Sequence, residues 1–341
     1  MPWITPIVFK QASDEALTRI PRFGDGPRKI RFRHIVHAYK DKAVSVNTAV
    51  QSITFATIDI ARQLAEPNYP VTCVAVAYPE DTDLIPVSFV TAPTLQRVVT
   101  DIAHFAVQRP LPLLFDILRN GLSPSAPVSR KPSLQRAFPR LFDPLRGARS
   151  SHQSRVTPRD GTEFLIITNS DIHLQPPFYY VLGEFIQQGY DVITANRRTI
   201  DVDQQHRSFS PVFFAEPGSD HPGFDCLIFP LQMMESFVSS DSCCGAGHVM
   251  RSLLFNLVAH ARRFLMLTHA HLTFHLGDDQ YAQDPKFSDY EDFNIAQAQN
   301  VIATLARDPE KAKRLADFIA VHEIERYRAA LPKALTILDV G

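Results

Sequence analysis

Two stretches of the chain carry side chains able to do chemistry. The first is Phe164 to Leu174, FLIITNSDIHL, where an apolar run leads straight into Asn169-Ser170-Asp171. Ligands of α/β proteins bind at the carboxyl ends of strands. A carboxylate there can hold Mg²⁺ or Mn²⁺ against a diphosphate, because hard cations prefer oxygen ligands. The same residues also suit a plain turn or helix cap, since Asx side chains bond nearby backbone. The second stretch is Thr268 to Asp279, THAHLTFHLGDD. On a strand, His269, His271, Thr273 and His275 would share one face. Imidazole is a common metal ligand, and a structural or solvated set of histidines is the competing reading.

Other candidates are weaker. Arg97, Arg109 and the Arg197-Arg198 pair could neutralise phosphate, although each also reads as a surface cation. Gly245-Ala246-Gly247 precedes a predicted helix and could present amides to an anion. It does not follow a strand as a dinucleotide fingerprint does, so it reads first as a loop entry. The chain contains no GxxxxGK[ST], GxSxG or HExxH, which excludes the P-loop, the serine-hydrolase elbow and the zincin motif.

The elements that must position these residues alternate between strand and helix periods. Lys29 to His37 alternates basic and apolar residues, as a half-buried strand would. Val71 to Ala77 and Glu163 to Thr168 read as strands buried on both faces. Tyr190 to Ala195, Asp225 to Phe229, Phe264 to Leu267 and Leu272 to His275 are further strands. Helices are predicted over Ser45 to Leu64, Thr94 to Val107, Leu113 to Leu118, Phe178 to Gln188 and beyond Gly247, with a helical tail from about Asn294 to Leu331. Asp308-Pro309-Glu310 is a helix start, with an Asp cap and Pro at the first position. This alternation predicts an α/β fold with a mixed or mostly parallel sheet.

Composition bounds the rest. The 341 residues amount to about two domain lengths of ~150 residues each. Lys and Arg number 35 against 36 Asp and Glu, a net charge of −1, so whole-chain charge does not call for nucleic acid or an acidic membrane. No apolar run reaches the roughly 18 residues of a membrane span. Met1 to Lys10 carries Pro2 and Pro6 and lacks a charged region before an apolar core, so no secretory signal is expected. The four cysteines, Cys73, Cys226, Cys243 and Cys244, form neither a disulfide framework nor a CxxC zinc pair. A cytoplasmic location is the expectation. Residues 123–160 hold six Pro, seven Ser and eight Lys/Arg against two Asp, which reads as a flexible basic insert or linker. It is the one local signal for a polyanion.

In order along the chain come an early strand, a strand followed by Asp81, Arg-Pro-Leu-Pro at Arg109 to Pro112, a strand ending in N-x-D at Asn169 to Asp171, then GFDCLIF and TFHLGDD. This order resembles the nucleotide-sugar-dependent glycosyltransferases of the GT-A fold, within the nucleotide-diphospho-sugar transferase superfamily. The resemblance spans roughly 30–279, interrupted by the basic segment. It implies a GT-A-like, mostly parallel central sheet flanked by helices, with the basic Pro/Ser-rich insert and a helical C-terminal tail. Residues 1–122 would form the nucleotide-binding half, 123–160 the insert, and 161–341 the metal and acceptor half with the terminal helices.

The implied activity is transfer of a sugar, hexosyl-like, from a nucleotide-diphosphate donor to an acceptor hydroxyl, with Mn²⁺ or Mg²⁺. In the resemblance Asp171 and His275 are metal ligands, and Asp81 lies where the family contacts base or ribose. Arg97, Arg109 and Asn169 are taken as donor-binding residues. Asp225 or Asp279 would act as the base. The family's first acid is Asn169 here, a neutral oxygen donor, which moves the metal's weight onto Asp171 and His275. The register Asp171-x-His173 is an alternative. Two other functions stay open: a non-catalytic nucleotide-sugar-binding relative, and a metal-dependent phosphoesterase using Asp171, His173, His269, His271 and His275.

Overall fold

The computed structural model describes residues 30–40, 45–66, 68–95, 112–123, 162–202, 209–221, 223–277, 288–322 and 324–332. Arg97, Arg109, Asp279, nearly all of the predicted helix Thr94 to Val107, and the basic segment from residue 124 onward lie outside them.

Seven strands form the main sheet: β1 (Ile30–Ala38), β2 (Val71–Ala77), β3 (Val90–Thr91), β4 (Thr162–Thr168), β6 (Val192–Ala195), β9 (Cys226–Pro230) and β10 (Phe264–Leu267). Their spatial order is β10-β6-β9-β4-β1-β2-β3. All neighbours run parallel except β9, which is antiparallel to both β4 and β6. The strands bury both faces. On one face Ile35, Leu165, Ile167 and Phe229 pack against α2 (Leu114–Leu122), α4 (Arg251–His260), α5 (Ser288–Leu305) and α6 (Pro309–Val321). On the other, Phe32, Val36, Ile166 and Ile228 pack against α1 (Ser45–Ala65) and α3 (Phe178–Gln187). Burial on both faces is what continuous runs such as VTCVAVA and CLIFP require.

A second sheet orders β5 (His173–Leu174), β11 (Thr273–Leu276), β7 (Arg197–Ile200) and β8 (Ser219–Asp220) as β5-β11-β7-β8. It grows out of the first. The chain leaves β6, passes the buried Asn196 and enters β7 at once. It likewise leaves β10 and reaches β11 after a turn in which His271 has φ +45°. Both strands at that end of the main sheet therefore continue past its carboxyl edge into the smaller sheet.

Several local expectations take concrete form. Asp308 caps α6, accepting from the Glu310 amide at 3.0 Å, with Pro309 at the first turn. Gly189 follows α3 with φ +96°, a left-handed conformation that glycine adopts freely. All four cysteines are free thiols. Among the described residues no helix is long and apolar enough to cross a membrane.

Two readings are corrected. His269 and His271 share no strand face with His275, because β11 begins only at Thr273. And β1, a central strand, keeps its basic residues Arg31, Arg33 and His37 half-buried, but the alternation breaks at His34. Its His34 is fully buried, held by the Tyr179 hydroxyl at 2.7 Å and Thr168 Oγ1 at 2.9 Å. Burial pushes the His34 imidazole down to about 3. The folded pKa thus lies below the unfolded value near 6.5, so the unfolded chain takes up this proton first. Stability should fall as pH drops from about 6.5 to 3, with this site adding a slope of about 1.4 kcal/mol per pH unit. His34→Gln should flatten that acid limb in urea unfolding measured against pH; an unchanged slope would show that His34 titrates normally in the fold.

Candidate functional site

Order reverses in the main sheet at β1, because the chain goes from β1 to β2 on one side and later to β4 on the other. Such a switch leaves a crevice outside the carboxyl ends of the two strands. A cleft of about 370 Å³ opens there, lined by His37 at the end of β1, by Tyr39 after it, and by Asn169, Ser170 and Asp171 after β4.

Asn169 to Ile172 form a turn, with the Ile172 amide donating to the Asn169 carbonyl at 3.3 Å. The turn reading is thus met. From it the chain enters β5, whose His173 pairs antiparallel with Phe274 of β11. That register brings the preceding turn alongside His275. Asp171 Oδ2 lies 3.4 Å from His275 Nε2. His275 Nδ1 donates to the Gly277 carbonyl at 2.6 Å, which directs Nε2 at the carboxylate. The two residues meet, but from two sheets; the expectation of one central sheet is corrected.

The electrostatics follow from this geometry. The His275 side chain is 4% exposed and that of Asp171 is 37% exposed. Burial alone would raise the Asp171 carboxyl; the bond and charge of His275, with Arg197 nearby, instead hold it down to about 2. Burial would likewise lower His275, and Asp171 outweighs it and raises the imidazole. Asp171 Oδ1 is hidden and has no hydrogen-bond partner among the described residues. His173 is fully buried, stacked on Phe274 at 5.1 Å, and pushed down to about 3 by burial and by the charge of His275.

A second carboxylate stands in the same cleft. Asp225 immediately precedes β9 and lines the cavity with Arg197. Its Oδ2 lies 3.6 Å from Arg197 Nε, both side chains being 13% exposed, and 3.9 Å from His221 Nε2. Neither Asp225 Oδ2 nor Arg197 Nε has a hydrogen-bond partner among the described residues. Gly245-Ala246-Gly247 and His248 also line the cleft, with Arg251 at the start of α4. His248 has φ +61°, a conformation costly for a side chain with Cβ. It is held by the Tyr327 hydroxyl at 2.8 Å and by Glu291 at 3.1 Å. Burial, with Arg326 and Arg251 close by, keeps its imidazole below the ordinary range.

The structure therefore brings Asn169, Asp171, Asp225 and His275 to one cleft. Asp81 is elsewhere: it is fully buried in the single turn after β2 and does not line this cavity. Sequence reasoning passed over His221, His248 and Arg251, and ranked Gly245 to Gly247 as a loop entry. The only signal for this wall was the Gly-x-Gly ahead of a helix; nothing in spacing ties it to Asp171, 74 or more positions earlier.

The cleft fits a divalent ion only with help. Asp171 offers an anionic oxygen and His275 an imidazole nitrogen, but no three His, Cys, Asp or Glu among the described residues stand together as a metal cluster. Further ligands would have to come from a bound anion. Its chemistry otherwise suits an anionic ligand with a polar body, since Arg197, Arg251 and a glycine-rich backbone line it with two carboxylates.

No protein-family model matches the chain, and no curated protein matches it. Among solved structures, one described as a crystal structure of a mycobacterial protein shares 12% identity, covering 82% of this chain and 74% of its own, with a TM-score of 0.29. Another, described as a "putative nucleotide-diphospho-sugar transferase" from Desulfovibrio desulfuricans G20, shares 12% identity over 80% of this chain and 98% of its own, with a TM-score of 0.27. At such scores neither likeness carries an argument.

Arg197 and Asp225 form a largely buried ion pair, so removing one member strands the other. Arg197→Leu should destabilise the fold by about 3 kcal/mol. Adding Asp225→Asn should recover part of that loss, because the stranded charge is gone. Urea unfolding of both single variants and the double variant measures the coupling; additive effects would mean that the two groups do not interact.

Proposed function

We propose that the protein binds a nucleotide-diphosphate sugar in the switch-point cleft and transfers its glycosyl group to an acceptor hydroxyl. The observation that carries this reading is the Asp171–His275 pair, 3.4 Å apart at the carboxyl end of β4. It stands where an open α/β sheet binds nucleotides. Asp171 Oδ1 has no hydrogen-bond partner among the described residues. The sequence resemblance to GT-A glycosyltransferases supports the same assignment, as does the sheet reversal at β1.

Asp171 and His275 would hold a Mn²⁺ or Mg²⁺ ion that also binds the donor's diphosphate, and that ion would neutralise charge on the leaving group. Asn169 can bond the ribose or sugar through its amide. Asp225, flanked by Arg197 and His221, would take the acceptor's proton. In an inverting transfer the acceptor oxygen forms the new bond to the anomeric carbon. The bond from that carbon to the diphosphate breaks, with its electron pair leaving on the diphosphate, and the proton passes to Asp225.

A non-catalytic donor-binding protein is the second reading, favoured by Asn169 in place of the family's first acid. The phosphoesterase reading finds less support. His269 pairs with Asp220 at 2.9 Å, and His271 lies 2.9 Å from Gln175 Nε2.

Calorimetric titration of nucleoside diphosphates with Mn²⁺ tests the proposal. Asp171→Ala should weaken metal-supported binding at least tenfold, about 1.4 kcal/mol, without loss of the folded state. Asn169→Asp should tighten it by restoring an anionic oxygen. Equal affinity of Asp171→Ala and wild type would remove the site. Release of a free sugar or a glycosylated acceptor from the donor separates the enzyme from the binding protein.

A further inference from the structure

Arg251 is the most anomalous charge in the cleft. Its guanidinium lies over the Phe224 ring, 4.4 Å from the centroid. Nη1 is buried and has no hydrogen-bond partner among the described residues. No carboxylate described here lies within ion-pair distance of it, although Asp225 acts on it at longer range. Arg326, a charge of its own sign, also acts on it. It is also the first residue of α4, where the helix dipole disfavours a cation. A guanidinium carries five N–H donors in a fixed fork. Holding it largely out of water with Nη1 unpartnered costs the fold free energy unless something anionic arrives.

Its position says where that anion would sit. Arg251, with Phe224 and His221, lines the switch-point cleft and also a second cavity of about 440 Å³ beyond the ends of β6 and β10. The guanidinium thus belongs to the partition between the two cavities.

We infer that Arg251 is a phosphate clamp. It binds the diphosphate of the nucleotide donor in the cleft that Asp171 also lines, and holds it without requiring a metal ion. The inference rests on the nucleotide-sugar reading and adds to it. Where Asn169 removes one anionic metal ligand, Arg251 supplies fixed positive charge to the same diphosphate. The bidentate fork suits a phosphate better than a lysine's single ammonium would.

The test uses the whole chain in EDTA, with inorganic pyrophosphate, UDP and GDP as calorimetric probes and with melting of the ligand-free protein. Wild type should bind at least one probe without metal. Arg251→Met should weaken that binding at least thirtyfold, and Arg251→Lys should recover only part. Ligand-free Arg251→Met should melt higher than wild type, by roughly 2 °C or more, since a cation held largely out of water with Nη1 unpartnered has been replaced by an apolar chain against Phe224. A purely structural arginine would give the opposite shift. Unchanged binding in Arg251→Met, a lowered melting temperature, or no probe binding to wild type in EDTA would each overturn the clamp. Pyrophosphate binding that depends on Arg251, with no nucleotide bound under any metal condition, would keep the clamp and remove the nucleotide reading.

Discussion

The contact between Asp171 and His275 is the constraint around which the cleft is built. One residue hangs from the end of a main-sheet strand, and the other sits in a small sheet that grows out of the same main sheet. Their meeting requires β6 and β10 to run on past the carboxyl edge, and β5 to pair with β11 in one register. A slip of one residue would turn the His275 side chain to the opposite face. The Gly277 carbonyl then fixes which ring nitrogen faces the carboxylate. Orientation of a functional imidazole by a backbone acceptor on its other nitrogen is a general device.

Charge in the cleft is arranged at a cost to stability. Asp171 and Asp225 stand near Arg197, while Arg251 has an aromatic ring for a neighbour and, among the described residues, no carboxylate in contact. His248 holds a left-handed backbone conformation beside them. Stabilising such features takes surrounding structure that over-determines them. Here Tyr327, fully buried at the foot of the helical tail, and Glu291 on α5 supply it. The C-terminal helices thus do more than cover one face of the sheet; they fix one wall of the site.

Much of the fold was legible because single elements announce themselves. VTCVAVA begins and ends as a strand where its β-branched run does, and Asp308-Pro309 marks the start of α6 through capping chemistry alone. The strand-to-acid step at Asn169 to Asp171 was legible for the same local reason. What sequence could not supply was partnership at long range. His34 looked like one residue of an alternating strand, yet Tyr179 and Thr168, each more than 130 positions away, make it a buried neutral group. His269 and His271 shared a spacing with His275 but not a strand, because a turn with positive φ intervenes. Arg251 carried no local signal at all, since its meaning comes from the lack of a carboxylate in ion-pair contact with it among the described residues, which are drawn from other elements. Asp81 was placed by analogy with a family, and the turn after β2 buries it instead.

The account's central claim is that Asp171, His275 and Arg251 hold one diphosphate in the cleft they share. A crystal structure of the protein grown with a nucleoside diphosphate and Mn²⁺ tests it most directly. The account predicts the diphosphate between the β4 turn and Arg251, with an anomalous manganese peak in contact with Asp171 and His275. Nucleotide density away from this cleft, or a manganese peak remote from both residues, would contradict it.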